Sequence, residues 1–223
     1  MRINIDVLSQ PIHLLEDKIT VLCIENKNYY RQVVKALYEE CPEEQNIIFS
    51  KNYEPFKFKN NVKFITNYYN IDFTSSFYKK LYEQLSIFCV SEIPELTIEM
   101  KQNILKFIDI VIENYDFDFQ SNDDVLLPEL FKILNVKPYF NKEDVIENLL
   151  EYILIMQKYA PVKLFILLNL HNDFSDDEIT QLYNEFLSRN IPVFVLESNT
   201  NFKKSPLESV TIIDEDLCEI VEK

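Results

Sequence analysis

The chain contains no glycine. A phosphate-cradling loop and a dinucleotide-binding fingerprint both need glycine, for tight turns and for close approach of backbone to phosphate. The nucleophile elbow Gly-x-Ser-x-Gly needs it on both sides of the serine. Three large enzyme classes are excluded together. A bias of the genome toward Asn, Lys, Ile and Tyr accounts for part of the depletion, with the same physical consequence. Paired cysteines are missing as well. Cys23, Cys41, Cys89 and Cys218 are scattered, which is the usage of reduced thiols in a cytoplasmic protein. His13 and His171 lie far apart and form no ligand motif with the cysteines, so no zinc site is expected. No apolar run is long enough to span a bilayer, and the N-terminal residues have no signal-peptide pattern. Positive charge is scarce: 22 basic against 37 acidic residues leave a net charge of −15. Taken over the whole chain, that balance opposes non-specific binding to nucleic acid.

Apolar residues are plentiful, at 47% of 223 positions, enough for a sizeable core. The most informative run is 162–169, Val-Lys-Leu-Phe-Ile-Leu-Leu-Asn, opened by Pro161. A short, nearly continuous run of this kind suits a strand covered on both faces, as in a parallel sheet. Ser175-Asp176-Asp177-Glu178 follows with the spacing of a capping box. Ile179, Leu182, Tyr183, Phe186 and Leu187 then share one helical face. Val193–Leu196 is a second strand, so the unit is strand–helix–strand with a parallel pair.

Near the start, Ile3, Ile5 and Val7 alternate with polar residues. Ile19–Ile24 is a further buried strand, leading through Glu25-Asn26-Lys27-Asn28 into a helix with Tyr29, Val33 and Leu37 on one face. A phosphate loop would stand at this turn in a nucleotide-binding fold. The turn is too short, lacks glycine, and sets Glu25 where phosphate would go, so no nucleotide site is expected. Asn46–Phe49 and Val62–Ile65 read as strands around a basic connection with Lys51, Lys57, Lys59 and Lys63. Arg31 and Lys35 add basic charge nearby in sequence.

From about Ile71 the pattern turns helical. Phe77, Tyr78, Leu81, Leu85 and Phe88 form one stripe, after Asp72 or Thr74 as cap. Pro94 opens a longer helix with Met100, Ile104, Phe107, Ile108, Val111 and Tyr115 in register, broadened by Leu105 and Ile112. So wide an apolar surface implies more than one neighbour. Leu126–Leu134 is a shorter helix, and Asn141 caps another containing Leu149, Leu150, Ile153 and Leu154. The expected architecture is α/β: a head with a parallel-type sheet, from residues 1–69 and 159–223, and a helical insertion over 70–158.

Inside the insertion lies Glu113-Asn114-Tyr115-Asp116-Phe117-Asp118-Phe119-Gln120-Ser121-Asn122-Asp123-Asp124. Alternation sets Asp116 and Asp118 opposite Phe117 and Phe119. Carboxylates this dense suit a hard cation such as calcium, which takes six to eight oxygen ligands in irregular geometry. The loop is no EF-hand, because the central glycine and terminal glutamate are missing. The alternative is a solvated loop whose Asp123 and Asp124 enrich a helix N-terminus.

The whole chain resembles the small ring-forming DNA-binding accessory family of type II-A CRISPR systems. The likeness runs through Ser9-Gln10-Pro11-Ile12, Val21–Asn26, Ile71–Ser76 and the acidic stretch 113–124. It continues through Glu129–Val136, Lys163–Asn169, Val193–Glu197 and Ile213–Asp216. The resemblance implies a head similar to a P-loop ATPase without a working nucleotide site. It also implies a non-catalytic homotetrameric ring with a basic channel for double-stranded DNA ends, acting in spacer acquisition. Calcium would be bound by Asp116, Asp118, Asp123 and Asp124, with Gln120 departing from the family's acidic pattern. The implied partners are other acquisition proteins and the RNA-guided effector nuclease. A ring also reconciles the charge balance, acidic outside for solubility with lysines toward phosphates. Lys51, Lys57, Lys59 and Lys63 are candidates for that contact by their clustering alone. Two other classes stand beside this reading. One is a metal-dependent nuclease, although two-metal cleavage usually draws ligands from several elements rather than one loop. The other is a scaffold that docks only proteins on its acidic surface.

Overall fold

A computed structural model describes residues 1–140 and 143–222. In chain order the elements begin with β1 (Arg2–Asn4), β2 (Ile12–His13), β3 (Ile19–Ile24) and α1 (Lys27–Tyr38). A 3₁₀ turn, Pro42–Gln45, then precedes β4 (Ile48–Lys51), β5 (Glu54–Pro55) and β6 (Val62–Ile65). Helices follow: α2 (Ser75–Glu92), α3 (Pro94–Glu113), α4 (Leu127–Ile133) and α5 (Val145–Tyr159). The chain closes with β7 (Leu164–Leu168), α6 (Leu170–Asp173), α7 (Asp176–Ser188), β8 (Val193–Glu197), β9 (Glu208–Ile213) and β10 (Glu219–Glu222).

Among the described residues a six-stranded sheet runs β10-β9-β3-β8-β7-β6. It is parallel throughout except for β10, which returns antiparallel on β9. The fold class is therefore α/β, as the apolar runs require. Every residue of β3 is buried, because the strand is central and covered on both faces. On one face Leu22, Ile24, Leu164, Ile166, Phe194 and Leu196 join Tyr29, Val33 and Leu37 of α1 in one core. A smaller antiparallel sheet, β2-β1-β4-β5, adds Ile3, Ile12 and Phe49 to that core.

Contacts divide the chain into two units: Met1–Ile71 with Asn141–Gln157 and Pro161–Lys223, and Asp72–Phe140 with Lys158–Ala160. The sequence reading places α5 in the insertion up to residue 158; the contacts place it in the head up to Gln157. Its Leu149, Tyr152, Ile153 and Met156 are buried, and they are what a sheet needs from a covering helix. The expected cap Asn141 lies outside the described residues, and the Asp144 carboxylate instead accepts from Glu147 N–H at 2.9 Å. The capping box of α7 is present, with Glu178 accepting from the N–H (2.8 Å) and hydroxyl (2.6 Å) of Ser175.

In the helical unit, Thr74 caps α2 by accepting from Phe77 N–H, and α2 buries Phe77, Leu81 and Tyr82. Phe88, expected in the same buried stripe, is 53% exposed. Among α3's residues Thr97 is the one that is buried, its hydroxyl donating to the carbonyls of Cys89 and Ile93 at 2.8 Å each. Phe107, Ile110 and Val111 face solvent in the single chain, at 64%, 51% and 40% exposure.

The head also holds a buried ion cluster. His171, on α6, sits between two glutamates, Glu197 at the end of β8 and Glu208 at the start of β9, Nδ1 2.8 Å from Glu197 and Nε2 2.8 Å from Glu208. All three side chains are within 3% of complete burial. Phe202 stacks on the imidazole with centroids 3.9 Å apart. Burial pushes the His171 pKa down, but the hydrogen bonds and charges of Glu197 and Glu208 outweigh it and carry it up to about 9. A folded pKa above the ordinary 6.5 stabilises the protonated native state. That contribution is complete below the ordinary value and is lost as pH rises through the folded one. Urea midpoints should therefore fall between about pH 6.5 and 9 in the wild type. The fall should vanish in His171→Ala, which leaves two buried carboxylates uncompensated and costs about 3–5 kcal/mol. Parallel pH profiles for the two proteins would contradict the assignment.

Candidate nucleic-acid interface

The turn after β3 is where a nucleotide phosphate would meet a helix N-terminus, with free amides and a favourable dipole. Here those amides are engaged. The Asn26 side chain accepts from Asn28 N–H (3.1 Å) and Tyr29 N–H (2.9 Å), while its own amide donates to the Glu215 carbonyl at 2.7 Å. Glu25 stands beside it, accepting from the Thr200 hydroxyl at 2.9 Å. The neighbouring strand ends are also closed. Asn169 adopts a left-handed conformation at the end of β7, donating to the Tyr30 hydroxyl (2.9 Å) and accepting from Ser198 N–H (3.0 Å). No glycine is needed, because asparagine tolerates that conformation.

The basic connection between β5 and β6 is built around Asn61. Phe58 is 2% exposed and packs on Phe49 at 5.5 Å, so alternation turns Lys57 and Lys59 outward. The Asn61 amide donates to the Lys57 and Lys59 carbonyls at 2.9 and 3.3 Å, closing the loop. Lys63 follows on β6, half-buried, its pKa lowered by burial against the opposing pull of Glu40. Lys59 reaches Glu40 at 3.8 Å.

A fourth lysine joins this group. Register places Val62 opposite Leu164, and Lys163 N–H donates to the Asn61 carbonyl at 2.6 Å. Its ammonium lies 4.4 Å above the Phe56 ring, a cation–π contact. Chain proximity does not group Lys163 with these lysines, since it lies 100 residues beyond Lys63; the β6–β7 pairing is the signal that finds it. Lys51 borders a different recess, of about 340 Å³, with Lys18 and Glu16. Arg31 and Lys35 lie on the exposed side of α1, Lys35 pairing with Glu39 at 3.8 Å.

The acidic segment after α3 is exposed from Glu113 to Asp124. It is not the alternating strip that its spacing suggests, because Tyr115 and Phe119 meet edge to face at 5.8 Å. Lys101 holds Asp124 by two contacts of 2.8 and 3.1 Å, and this hydrogen-bonded ion pair lowers the Asp124 pKa. Among the described residues no three acidic, histidine or cysteine side chains come together as a metal site. The chemistry of Asp116, Asp118, Asp123 and Asp124 suits calcium, and in this fold Asp124 is engaged by Lys101.

A family model described as CRISPR-associated protein (Cas_Csn2) matches residues 38–217. The chain belongs to that family. It is 23% identical over 202 residues to CRISPR-associated protein Csn2 of Enterococcus faecalis, covering 88% of this chain and 90% of that protein. Among solved structures it is similar to a putative ABC transporter ATP-binding protein from Pyrococcus furiosus, at 12% identity and a TM-score of 0.40 over 90% of this chain and 88% of that one. A likeness at that level carries no argument about fold or activity. Family membership makes this a CRISPR-associated protein of antiviral defence, and no described helix is long and apolar enough to cross a membrane.

The occupied amides of α1 lead to a direct test. Titration with ATP should give no saturable binding at Glu25–Asn28, and Lys27→Ala should leave the titration unchanged. Saturable binding abolished by that substitution would contradict the description of this turn.

Proposed function

We propose that this Csn2-family chain is a non-catalytic binder of double-stranded DNA ends, acting as a homotetramer in the spacer-acquisition stage of CRISPR immunity. The observation that supports it most is the group Lys57, Lys59, Lys63 and Lys163 around one turn, in a chain whose net charge is −15. Lysines collected at one place on an acidic protein offer phosphates a local site without making the whole molecule sticky. Backbone contacts of this kind give affinity without sequence preference.

Assembly is supported by the helical unit. Phe107, Ile110 and Val111 on α3 and Phe88 on α2 are large apolar side chains that face solvent in the single chain. Closed symmetric association would cover them. Other acquisition proteins and the RNA-guided effector nuclease are the partners this reading implies.

Calcium belongs to the proposal as a ligand of the segment 116–124. An ion taking Asp124 would have to displace Lys101, and the segment would have to rearrange to bring Asp116, Asp118 and Asp123 toward it.

The test is a salt titration of linear duplex binding, run with added calcium and with chelator. Affinity should fall linearly on a log–log plot, and each of Lys57→Gln and Lys163→Gln should reduce the slope by about 0.9. Binding should be stronger with calcium. Unchanged slopes in both variants would remove the lysine group from the interface, and binding of protein partners but no duplex would favour the scaffold reading.

A further inference from the structure

The helical unit contains a groove of about 740 Å³ between α2 and α4. Tyr78, Tyr82 and Pro128 give it apolar walls, and Lys79, Lys132 and Lys137 give it charge, against Glu83 and Glu129. Its floor is fixed, because the Tyr82 hydroxyl donates to the Val136 carbonyl at 3.0 Å and the Tyr82 ring packs 6.1 Å from Phe131. Its lysines are available. Lys132 is 71% exposed and meets Glu129 at 3.9 Å, a surface pair of small energy.

The same unit carries a segment with the opposite character. Tyr115-Asp116-Phe117-Asp118-Phe119 interleaves three rings with two carboxylates. The rings are 62%, 76% and 53% exposed, with Tyr115 and Phe119 touching each other. Five residues extend at most about 17 Å. Exposed aromatic rings are expensive to leave in water, and rigid rings flanked by charge are typical anchors of interfaces.

We propose that this segment docks in the Lys79/Lys132/Lys137 groove of a second copy of the chain. The rings would pack on Tyr78, Tyr82 and Pro128, and in the calcium-free state, where Asp124 is held by Lys101, Asp116 and Asp118 would meet the lysines. A twofold axis makes the exchange reciprocal: each copy lends its segment and receives its partner's in its groove. The occupant is chosen by charge and apolarity together, since a nucleic acid would satisfy the lysines and leave the segment's rings uncovered. This proposal rests on the self-assembly reading and names the contact that would produce part of it.

Charge reversal on each side gives the test. In chelator, so that no cation engages the segment, wild type should show a mass above that of one chain. Lys79→Glu with Lys132→Glu makes the groove acidic, and Asp116→Lys with Asp118→Lys makes the segment basic. Each double variant alone should self-associate at least tenfold more weakly than wild type. Mixed in equal amounts they should recover the assembled mass, because each mixed contact again joins opposite charges. Phe117→Ala is the companion variant. Its side chain is largely exposed in the single chain, so it should weaken assembly without lowering the monomer's melting temperature.

The proposal is overturned if either reversed variant keeps the wild-type mass. It is equally overturned if both fold, as judged by circular dichroism, yet their mixture stays dissociated. Loss of duplex binding by the groove variant with its mass intact would assign the groove to DNA instead. A wild-type mass of one chain would fail the assembly reading itself, which Phe107→Asp tests separately from the groove.

Discussion

One buried charge cluster ties the head together. His171 spans from Glu197, which ends β8, to Glu208, which begins β9, and β3 lies between those two strands. Glu208 also accepts from Ser205 N–H at 2.8 Å, and Glu197 accepts from His171 N–H at 3.1 Å. The irregular connection 198–207 is thus held at both ends, with Phe202 laid on the imidazole in its middle. Breaking such a buried cluster by removing one partner is far more damaging than replacing all of it with apolar groups. Its service here is geometric: three elements distant in the sequence have one low-energy arrangement.

The parallel sheet was legible in the sequence because a strand covered on both faces must be apolar at every position. Runs 164–168 and 193–196 meet that requirement, run 19–24 meets it except at Thr20, and the capping box at Ser175 is a purely local pattern. The ion cluster was not legible as such. His171 makes no motif with the cysteines, and its real partners are 26 and 37 residues away. The available signal was an anomaly: glutamates closing and opening apolar strands, where an unpaired charge would be forbidden. Lys163 was hidden for the same reason, since strand register rather than chain proximity puts it beside Asn61.

The helical unit shows the opposite limit. Periodicity in α3 correctly marks which residues are apolar, but it does not say what covers them. Much of that stripe is solvent-facing in the single chain, whereas the stripe of α5 is buried in the head. In the acidic segment, spacing suggested an alternating strip with converging carboxylates. The fold instead turns the chain so that Tyr115 meets Phe119, and spends Asp124 on Lys101. A dense run of acids specifies charge; it does not specify where their oxygens go.

The closed assembly proposed above would reconcile these features, because an acidic exterior and an inward group of lysines would not conflict if copies surrounded the DNA. Such a ring would load only over an end. The most direct measurement compares three duplexes of the same length and sequence at one salt concentration: linear, covalently closed circular, and circular linearised after mixing. The account gives binding to the linear form, little to the circle, and binding restored by cutting. Equal affinity for the closed circle would contradict it.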